Sequence, residues 1–268
     1  MTDHAARPTE APTAPGTLCL FGGPYVVRAG RHIEVPEGSK RLLVFIALHA
    51  GRLDRRYVAG TLWPDGDDER AAGNLRSALW RLKRAEIDLV QADKLALWLR
   101  PGTTSDIELF SRWATRLIGG RPTAADLHVP PWDIHAMELL PGWYDDWVTF
   151  ERERIRQRLL HALEQLSREL VTAGRCGEAI EAATAAVGVE PLRESAQRVL
   201  IEAHLAEHNL VEARRLYVRY RQLVRRELRI DPSPGLTRLV VTADSTGADG
   251  TSNGHRRPDG HLATRAPV

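Results

Sequence analysis

The sequence predicts a mainly α-helical fold in which a small N-terminal β-sheet, three helices and a hairpin are followed by an all-α domain. Three observations support this prediction. Short alternating apolar runs near the N-terminus indicate strands, helical periodicity begins at Ser39, and helical patterns dominate after Asp106. The chain has 268 residues, of which 43% are hydrophobic, so it can form two ordinary cores.

Three short runs make up the predicted sheet. They alternate apolar and polar residues, and segments that contain glycine separate them, as in antiparallel strands joined by tight turns. The runs are 18–21, 25–27 and 31–35. A small antiparallel sheet at the start of the folded region is therefore expected.

Three helices follow the predicted sheet. The first begins behind Ser39, the predicted N-cap, and ends at Gly51. The second begins after Asp54 and ends at Trp63, because the next residue is a proline, which cannot continue a helix. The third spans 70–85 behind an acidic loop, whose negative charges suit the positive end of the helix dipole.

A hairpin over 89–100 completes the first domain, although its turn at 92–94 contains no glycine. A sheet, three helices and a C-terminal hairpin, in this order, form a winged helix-turn-helix, in which the hairpin is the wing. Helical patterns then resume, with a proline-containing connection over 121–133. The predicted organisation is a disordered tail at 1–16, a winged helix-turn-helix domain at 17–105, an all-α domain at 106–241 and a disordered tail at 242–268.

The all-α domain contains a short internal repeat. The segments 173–179 and 206–213 resemble one another, each links two helices, and their Glu-Ala pairs lie 34 residues apart. This is the spacing of tetratricopeptide (TPR) repeats, whose helix pairs stack to bury their apolar faces. A TPR-like interaction or dimerisation domain is predicted, and an ordinary helical bundle is the alternative.

Charge and motifs exclude several classes of protein. The net charge is only +2, so any affinity for nucleic acid must come from a local patch. No apolar run predicts a signal peptide or a membrane span, so a soluble, cytoplasmic protein that does not attach to a membrane is expected. Cys19 and Cys176 have no companion ligands at metal-binding spacing, and nucleotide-binding and hydrolase motifs are absent. Neither enzymatic activity nor a cofactor or metal is expected.

The third helix carries the candidate functional residues. Its apolar residues share one face, and between Arg70 and Arg84 there are five basic residues and no acid, whereas a helix that meets only water usually mixes both signs. A major groove accepts one helix, and arginine can donate two hydrogen bonds to guanine. Double-stranded DNA is therefore the predicted ligand. The predicted base-reading residues are Arg76, Ser77, Trp80, Arg81 and Arg84.

Two alternatives apply to these residues. Trp80 lies opposite the apolar stripe, and it would either contact DNA or pack under the wing or the N-terminal sheet. The basic residues would otherwise form a solvated face. Further residues near the helix starts, on the third helix and at the wing tip are predicted to contact phosphates. They are Lys40, Arg41, Arg55, Arg56, Asn74, Lys83 and Lys94.

The acidic loop before the third helix is predicted to contact another protein. Phosphates would repel its carboxylates, so the loop should point away from DNA when the helix binds in the groove. RNA polymerase is the expected partner of this loop. The residues concerned are Asp65, Asp67, Asp68 and Glu69.

Several motifs also resemble those of the Streptomyces antibiotic regulatory protein family. In the first half the similarity lies in Leu62-Trp63-Pro64, in 74–84 and in 106–110, and in the second half 191–194 and 226–236 resemble the bacterial transcriptional activator domain. The resemblance spans 17–241. It implies an OmpR-type winged helix that reads direct repeats near promoters of antibiotic-biosynthesis genes and recruits RNA polymerase. It also implies two copies side by side on DNA, as a homodimer or a pair, and it places the five base-reading residues on the recognition helix.

A protein–protein interaction adaptor is the alternative from another class. In that case the helical domain binds a protein or peptide, and the winged helix is a docking platform whose positive charge is incidental. Steep salt dependence with discrimination between base sequences would favour DNA binding, whereas salt-insensitive binding to a protein would favour the adaptor.

Overall fold

The computed structural model describes residues 16–49, 51–128 and 138–248. The predicted N-terminal tail up to residue 15, the end of the predicted connection at 129–133 and the C-terminal residues 249–268 lie outside the described residues. The chain forms two compact units, divided between Gln165 and Leu166. The domain bounds given above remain a prediction.

The predicted sheet is present and has one additional strand. β1 (Thr17–Cys19), β2 (Tyr25–Arg28) and β3 (Arg31–Glu34) form an antiparallel meander. A two-residue strand, β7 (Thr104–Ser105), pairs in parallel with β1, which gives the order β3-β2-β1-β7. This pairing depends on a contact between distant segments and has no local apolar signal, so the sequence pattern did not predict it.

Three helices form the core of the first unit, at nearly the predicted positions. They are α1 (Glu37–Leu48), α2 (Arg55–Leu62) and α3 (Asp68–Arg84). Phe45 of α1, Leu62 of α2 and Leu75 of α3 are buried in one apolar cluster. This cluster fixes α3 by its apolar face and leaves the opposite face open to solvent.

Local capping signals set the starts of α2 and α3. The Asp54 carboxylate accepts hydrogen bonds from the backbone N–H groups of Arg56 and Tyr57, at 2.8 and 2.9 Å. Asp67 caps α3 in the same way, accepting from the Arg70 N–H at 2.8 Å. Aspartate at this position satisfies backbone donors that the first helical turn leaves without a partner. The third helix therefore begins two residues before the predicted start.

The prediction that Ser39 caps α1 is wrong. The N-cap residue is Pro36, and Ser39 lies within the first turn, where it is fully buried. Its hydroxyl donates instead to the backbone carbonyl of Ala78 in α3, with an Oγ to O distance of 2.8 Å. A serine near a helix start is suited to both roles, and contact with α3 selects the second. Ser39 therefore positions α3 on α1.

Replacing Ser39 by alanine should destabilise the protein. The change removes a buried hydrogen bond to the Ala78 carbonyl, which costs about 0.5–1.5 kcal/mol of unfolding free energy. Urea unfolding of the full chain, followed by far-UV circular dichroism, measures this loss. Ser77→Ala, on the exposed face of the same helix, is the control and should change stability by no more than about 0.5 kcal/mol. Equal stability of both variants would contradict a structural role for the Ser39 hydroxyl.

The wing is a three-stranded sheet. β5 (Val90–Ala92) and β6 (Ala96–Leu99) form the predicted hairpin, and β4 (Leu53–Asp54) pairs with the other edge of β6. The turn between β5 and β6 contains Asp93, whose carboxylate accepts from the N–H groups of Leu95 and Ala96, at 2.8 and 2.7 Å. This side chain closes the turn in place of a glycine.

The first unit continues beyond the wing. α4 (Asp106–Ile118) is joined to the N-terminal sheet, because the Asp106 carboxylate accepts from the N–H groups of Leu20 and Phe21, at 2.7 and 2.9 Å. A short 3-10 helix (Ala124–Leu127) follows, and the long helix α5 (Asp146–Thr172) begins in this unit. The sequence pattern had assigned 106–241 to the second domain, whereas the first compact unit continues to Gln165.

Helices that pack on their neighbours in sequence form the second unit. After the end of α5 come α6 (Cys176–Val189), α7 (Glu194–Ala206), α8 (Leu210–Leu228) and α9 (Pro234–Ala248), and each contacts the next. Alanines fill the α6 interface, and Tyr220 of α8 is buried among apolar residues of α7 and α9. α9 extends to Ala248, into the segment that the sequence assigned to a tail. Within the described part of the chain, none of the helices combines the length and apolar composition required to cross a membrane.

Candidate nucleic-acid interface

The two faces of α3 differ as the sequence predicted. Ala71, Leu75, Ala78 and Leu82 are buried against the core. Side chains of the five predicted base-reading residues lie on the exposed surface, together with Lys83. Because successive residues turn by about 100°, Asn74 and Arg81 lie on one flank of this surface and Arg76 and Lys83 on the other. Trp80, Ser77 and Arg84 occupy its centre.

Trp80 is exposed in the middle of this surface. Its side chain is 57% accessible to solvent, and the Arg84 guanidinium lies 5.2 Å from the centre of its ring. Trp80 therefore does not pack under the wing or the N-terminal sheet, which was the alternative at this position. A tryptophan that presents a large apolar surface beside a stacked cation is suited to contact with a ligand that is both apolar and anionic.

Arg81 points toward the start of α1. A methyl group built on Gly38 would lie only 2.7 Å from Nη1 of Arg81, so the guanidinium rests directly on the backbone at this glycine. Substitution of Gly38 by a larger residue would displace Arg81. Of the five predicted base-reading residues, Arg81 is thus held at the edge of the exposed face. It lies against Gly38, which precedes Lys40 and Arg41 in sequence.

A cationic cleft borders the other flank of α3. It has a volume of about 450 Å³ and lies between α2, the first half of α3 and the wing tip. Four cations line it, Arg55, Arg56, Arg76 and Lys94, together with two carboxylates, Asp68 and Glu69. Three of the predicted phosphate contacts and one predicted base reader thus meet there. Arg55 is fixed by a hydrogen bond from Nη1 to the carbonyl oxygen of Asp93, at 3.1 Å. The cleft is open to solvent and accessible to a phosphate chain.

The remaining predicted phosphate contacts lie near α1 and on α3. Asn74 and Arg41 line a second, smaller cleft of about 290 Å³ on the α1 side of α3. Arg41 forms an ion pair with Asp145, and Lys40 forms one with Glu37 at 2.6 Å. Lys83 is exposed near the end of α3. Positive side chains thus lie on both sides of the exposed face of α3.

The acidic loop is exposed, and two of its four carboxylates have structural partners. Asp67 is the N-cap of α3, and Asp68 forms an ion pair with Arg56 at 3.0 Å. Asp65 and Glu69 are also exposed. Asp68 and Glu69 line the cationic cleft, so this part of the loop lies beside the predicted phosphate contacts and does not point away from them as expected. Because both side chains of the Asp68–Arg56 pair are almost fully exposed, the pair adds little to stability.

Sequence patterns missed the residues that hold the wing tip. Arg52 pairs with Asp93, and its guanidinium lies 4.0 Å from the centre of the Trp98 ring. Backbone hydrogen bonds from Ala96 and Leu95, and then Arg52, lower the pKa of Asp93 below its usual value. The sequence did contain a signal for this turn. An aspartate whose carboxylate accepts from the N–H groups two and three residues later forms an Asx-turn.

This fold and this exposed helix define the first unit as a winged helix-turn-helix and the whole chain as a winged helix with a TPR-like helical region. Residues 129–241 match the model of the bacterial transcriptional activator domain. This match agrees with the motifs described above, which resemble those of the Streptomyces antibiotic regulatory protein family.

Known proteins that resemble the chain include a curated regulator and a solved structure. Regulatory protein AfsR of Streptomyces griseus is 32% identical over 116 residues, which are 42% of this chain and 12% of AfsR. The chain therefore spans only a small part of that curated relative. The solved structure of Mycobacterium tuberculosis EmbR in complex with a low-affinity phosphopeptide superimposes with a TM-score of 0.65. The superposition covers 88% of this chain and 69% of the EmbR chain at 19% identity, and it confirms the predicted fold.

Proposed function

We propose that this protein binds promoter DNA sequence-specifically and activates transcription by recruiting RNA polymerase. The observation that supports this proposal most directly is the exposed face of α3, where Trp80 and Arg84 lie between two groups of positive side chains. A helix in a major groove has phosphate backbones on both sides and base edges in front of it. The positive side chains around α3 match that environment, although Asp65, Asp68 and Glu69 of the acidic loop line the same two clefts.

Each group of residues has a distinct role in this proposal. Arg76 and Arg84 donate to guanine, while Ser77 and Trp80 contact other base edges or thymine methyl groups. Lys83 and Asn74 contact phosphates from α3. Lys94, Arg55 and Arg56 contact the strand that passes through the cleft, and Lys40 and Arg41 contact the opposite strand. Arg81 remains a proposed base contact, although its place over Gly38 also suits a phosphate near α1.

The resemblance to the Streptomyces antibiotic regulatory protein family supports a proposal about which genes the protein regulates and how it pairs on DNA. Two copies would bind side by side on direct repeats in the promoters of a gene cluster for antibiotic or other secondary-metabolite biosynthesis. The TPR-like region would support their pairing, and the acidic loop would contact RNA polymerase. We infer that the protein acts in the cytoplasm, where promoter DNA and the polymerase are found.

In vitro selection of random duplexes by the full-length protein at physiological salt tests this proposal. We expect a repeated motif to be enriched, and binding to that motif to weaken steeply as the salt concentration rises, because each phosphate contact releases counterions. If no sequence is enriched and binding to a protein partner is insensitive to salt, the adaptor function is correct instead.

A single substitution separates base reading from phosphate binding. Arg84→Ala should lower affinity for the selected motif by about 1–3 kcal/mol and relax the preference at one base pair, because a guanine contact is lost. Lys83→Ala, at the adjacent exposed position, is the matched control and should weaken binding to all sequences equally. Fluorescence anisotropy with the motif and its single-base variants measures both effects. An equal loss on every sequence for Arg84→Ala would reassign Arg84 to a phosphate contact.

A further inference from the structure

Leu95 is an apolar side chain at the tip of the wing. It follows Lys94 in the turn between β5 and β6, and its side chain is 74% exposed. Its two successors in β6, Ala96 and Leu97, are buried, so the apolar side chains after it pack in the core while Leu95 does not. A single exposed leucine is ordinary on a protein surface, so the support and the surroundings of Leu95 decide whether it contacts a partner.

The turn holds Leu95 in this exposed position. Its N–H donates to the Asp93 carboxylate at 2.8 Å, and its carbonyl accepts from the N–H of Arg55 at 2.9 Å. Asp93 is itself paired with Arg52, which stacks on Trp98. Both backbone groups of Leu95 are therefore fixed, and the side chain is presented outward by a rigid support.

The surroundings of Leu95 indicate the chemistry of its partner. The neighbouring Lys94 lines the cationic cleft with Arg55, Arg56 and Arg76. A purely apolar protein surface would have to desolvate these cations, whereas a nucleic acid offers phosphates to the cations and sugar and base edges to an apolar side chain. When α3 occupies the major groove, the strand that passes through the cleft separates that groove from the adjacent minor groove.

We propose that Leu95 enters the minor groove next to the site read by α3 and that it makes the wing sensitive to base composition. The minor groove of a G·C pair carries the guanine 2-amino group, which A·T pairs lack. This group obstructs the floor of the groove, where apolar side chains of other DNA-binding proteins insert. The wing would therefore disfavour G·C pairs below Leu95. This inference rests on the proposed DNA-binding function.

Inosine substitution tests this role without changing the major groove. Base pairs under the wing are first located by hydroxyl-radical footprinting on the motif obtained by selection. Duplexes are then made with either G·C or inosine·C at these pairs, which differ only by the 2-amino group in the minor groove. Affinities are measured by fluorescence anisotropy for the full-length wild type, Leu95→Ala, Leu95→Met and Lys94→Ala.

The wild type should bind the inosine duplex about 3- to 10-fold more tightly than the G·C duplex. Leu95→Ala should reduce this preference to less than about twofold, whereas Leu95→Met, which keeps an apolar side chain of similar length, should retain it. Lys94→Ala should also keep the preference but lower the slope of log affinity against log salt by about one. Thermal unfolding of each variant checks that the fold is unchanged.

The outcomes separate this inference from the proposed function. If the wild type selects a motif but does not distinguish the two duplexes, or if Leu95→Ala distinguishes them as well as the wild type, the role of Leu95 is overturned and the DNA-binding function stands. If the wild type enriches no motif, the proposed function fails first, and the role of Leu95 fails with it.

Discussion

Simultaneous replacement of Arg76, Trp80 and Arg84 by alanine is expected to abolish sequence-specific DNA binding. Each bidentate arginine–guanine contact contributes about 1–3 kcal/mol of discrimination, so loss of two such contacts and of the tryptophan surface should lower affinity for the selected motif at least about 100-fold. Residual binding should be weak and independent of sequence, because the phosphate contacts of α2 and the wing remain.

The substitution should leave the fold intact, since all three side chains lie on the exposed face of α3, away from its buried residues. In vitro selection and anisotropy titrations at fixed salt measure the loss, and circular dichroism verifies the helix content. The matched control replaces two arginines and one aromatic residue elsewhere on the first unit. Arg112, Arg121 and Phe150 are exposed and lie outside the proposed interface, so their triple alanine variant should bind like the wild type.

Two results would contradict the proposed role of α3. Enrichment of the same motif by the triple variant would show that another surface reads the sequence. An equal loss of binding in the control variant would show that the effect comes from total charge, because both variants remove two positive charges. The first result would contradict the location of the site on α3. The second would contradict the existence of specific base contacts.

Local signals in the sequence were sufficient to predict much of the first unit. Asp54 and the proline after Trp63 bound α2 because capping and proline geometry act within a few residues. The exposed face of α3 was predictable because a helix has a fixed turn per residue, so apolar side chains on one side place the polar ones on the other. The position of Trp80 opposite the core follows from this periodicity.

Contacts between distant segments could not be predicted in the same way. Ser39 is suited both to cap a helix and to donate across an interface, and only the approach of α3 to α1 decides between these roles. The parallel pairing of β7 with β1 and the place of Arg81 over Gly38 also depend on tertiary geometry. The site was therefore predictable as a helix face, whereas the cleft beside it and the support of the wing tip were not.

Neutralisation of the acidic loop is expected to separate transcription from DNA binding. In the variant Asp65→Asn, Asp67→Asn, Asp68→Asn, asparagine at 67 still caps α3, because its side-chain oxygen accepts the same backbone hydrogen bond. The loss of the exposed Asp68–Arg56 pair should change stability by less than about 1 kcal/mol. The fold of α3 should therefore be preserved.

DNA affinity of this variant should equal or slightly exceed that of the wild type. Negative charges are removed from Asp68 in the cationic cleft and from Asp65 in the second cleft, and Arg56 loses a competing carboxylate. Transcription from a promoter that carries the selected motif should nevertheless fall at least about fivefold, because charge complementarity with the polymerase is lost. Anisotropy and in vitro transcription with purified RNA polymerase measure the two effects on the same preparation.

A second charge variant controls for the change in total charge. Glu108→Gln, Glu151→Gln, Glu153→Gln removes three carboxylates from α4 and α5, away from the loop, and should leave both DNA binding and transcription at wild-type levels. Unaltered transcription by the loop variant would refute the polymerase contact. A parallel fall in DNA affinity and transcription would show that the loop supports DNA binding itself, and it would also contradict a role confined to the polymerase, because removal of carboxylates should not weaken binding to phosphates.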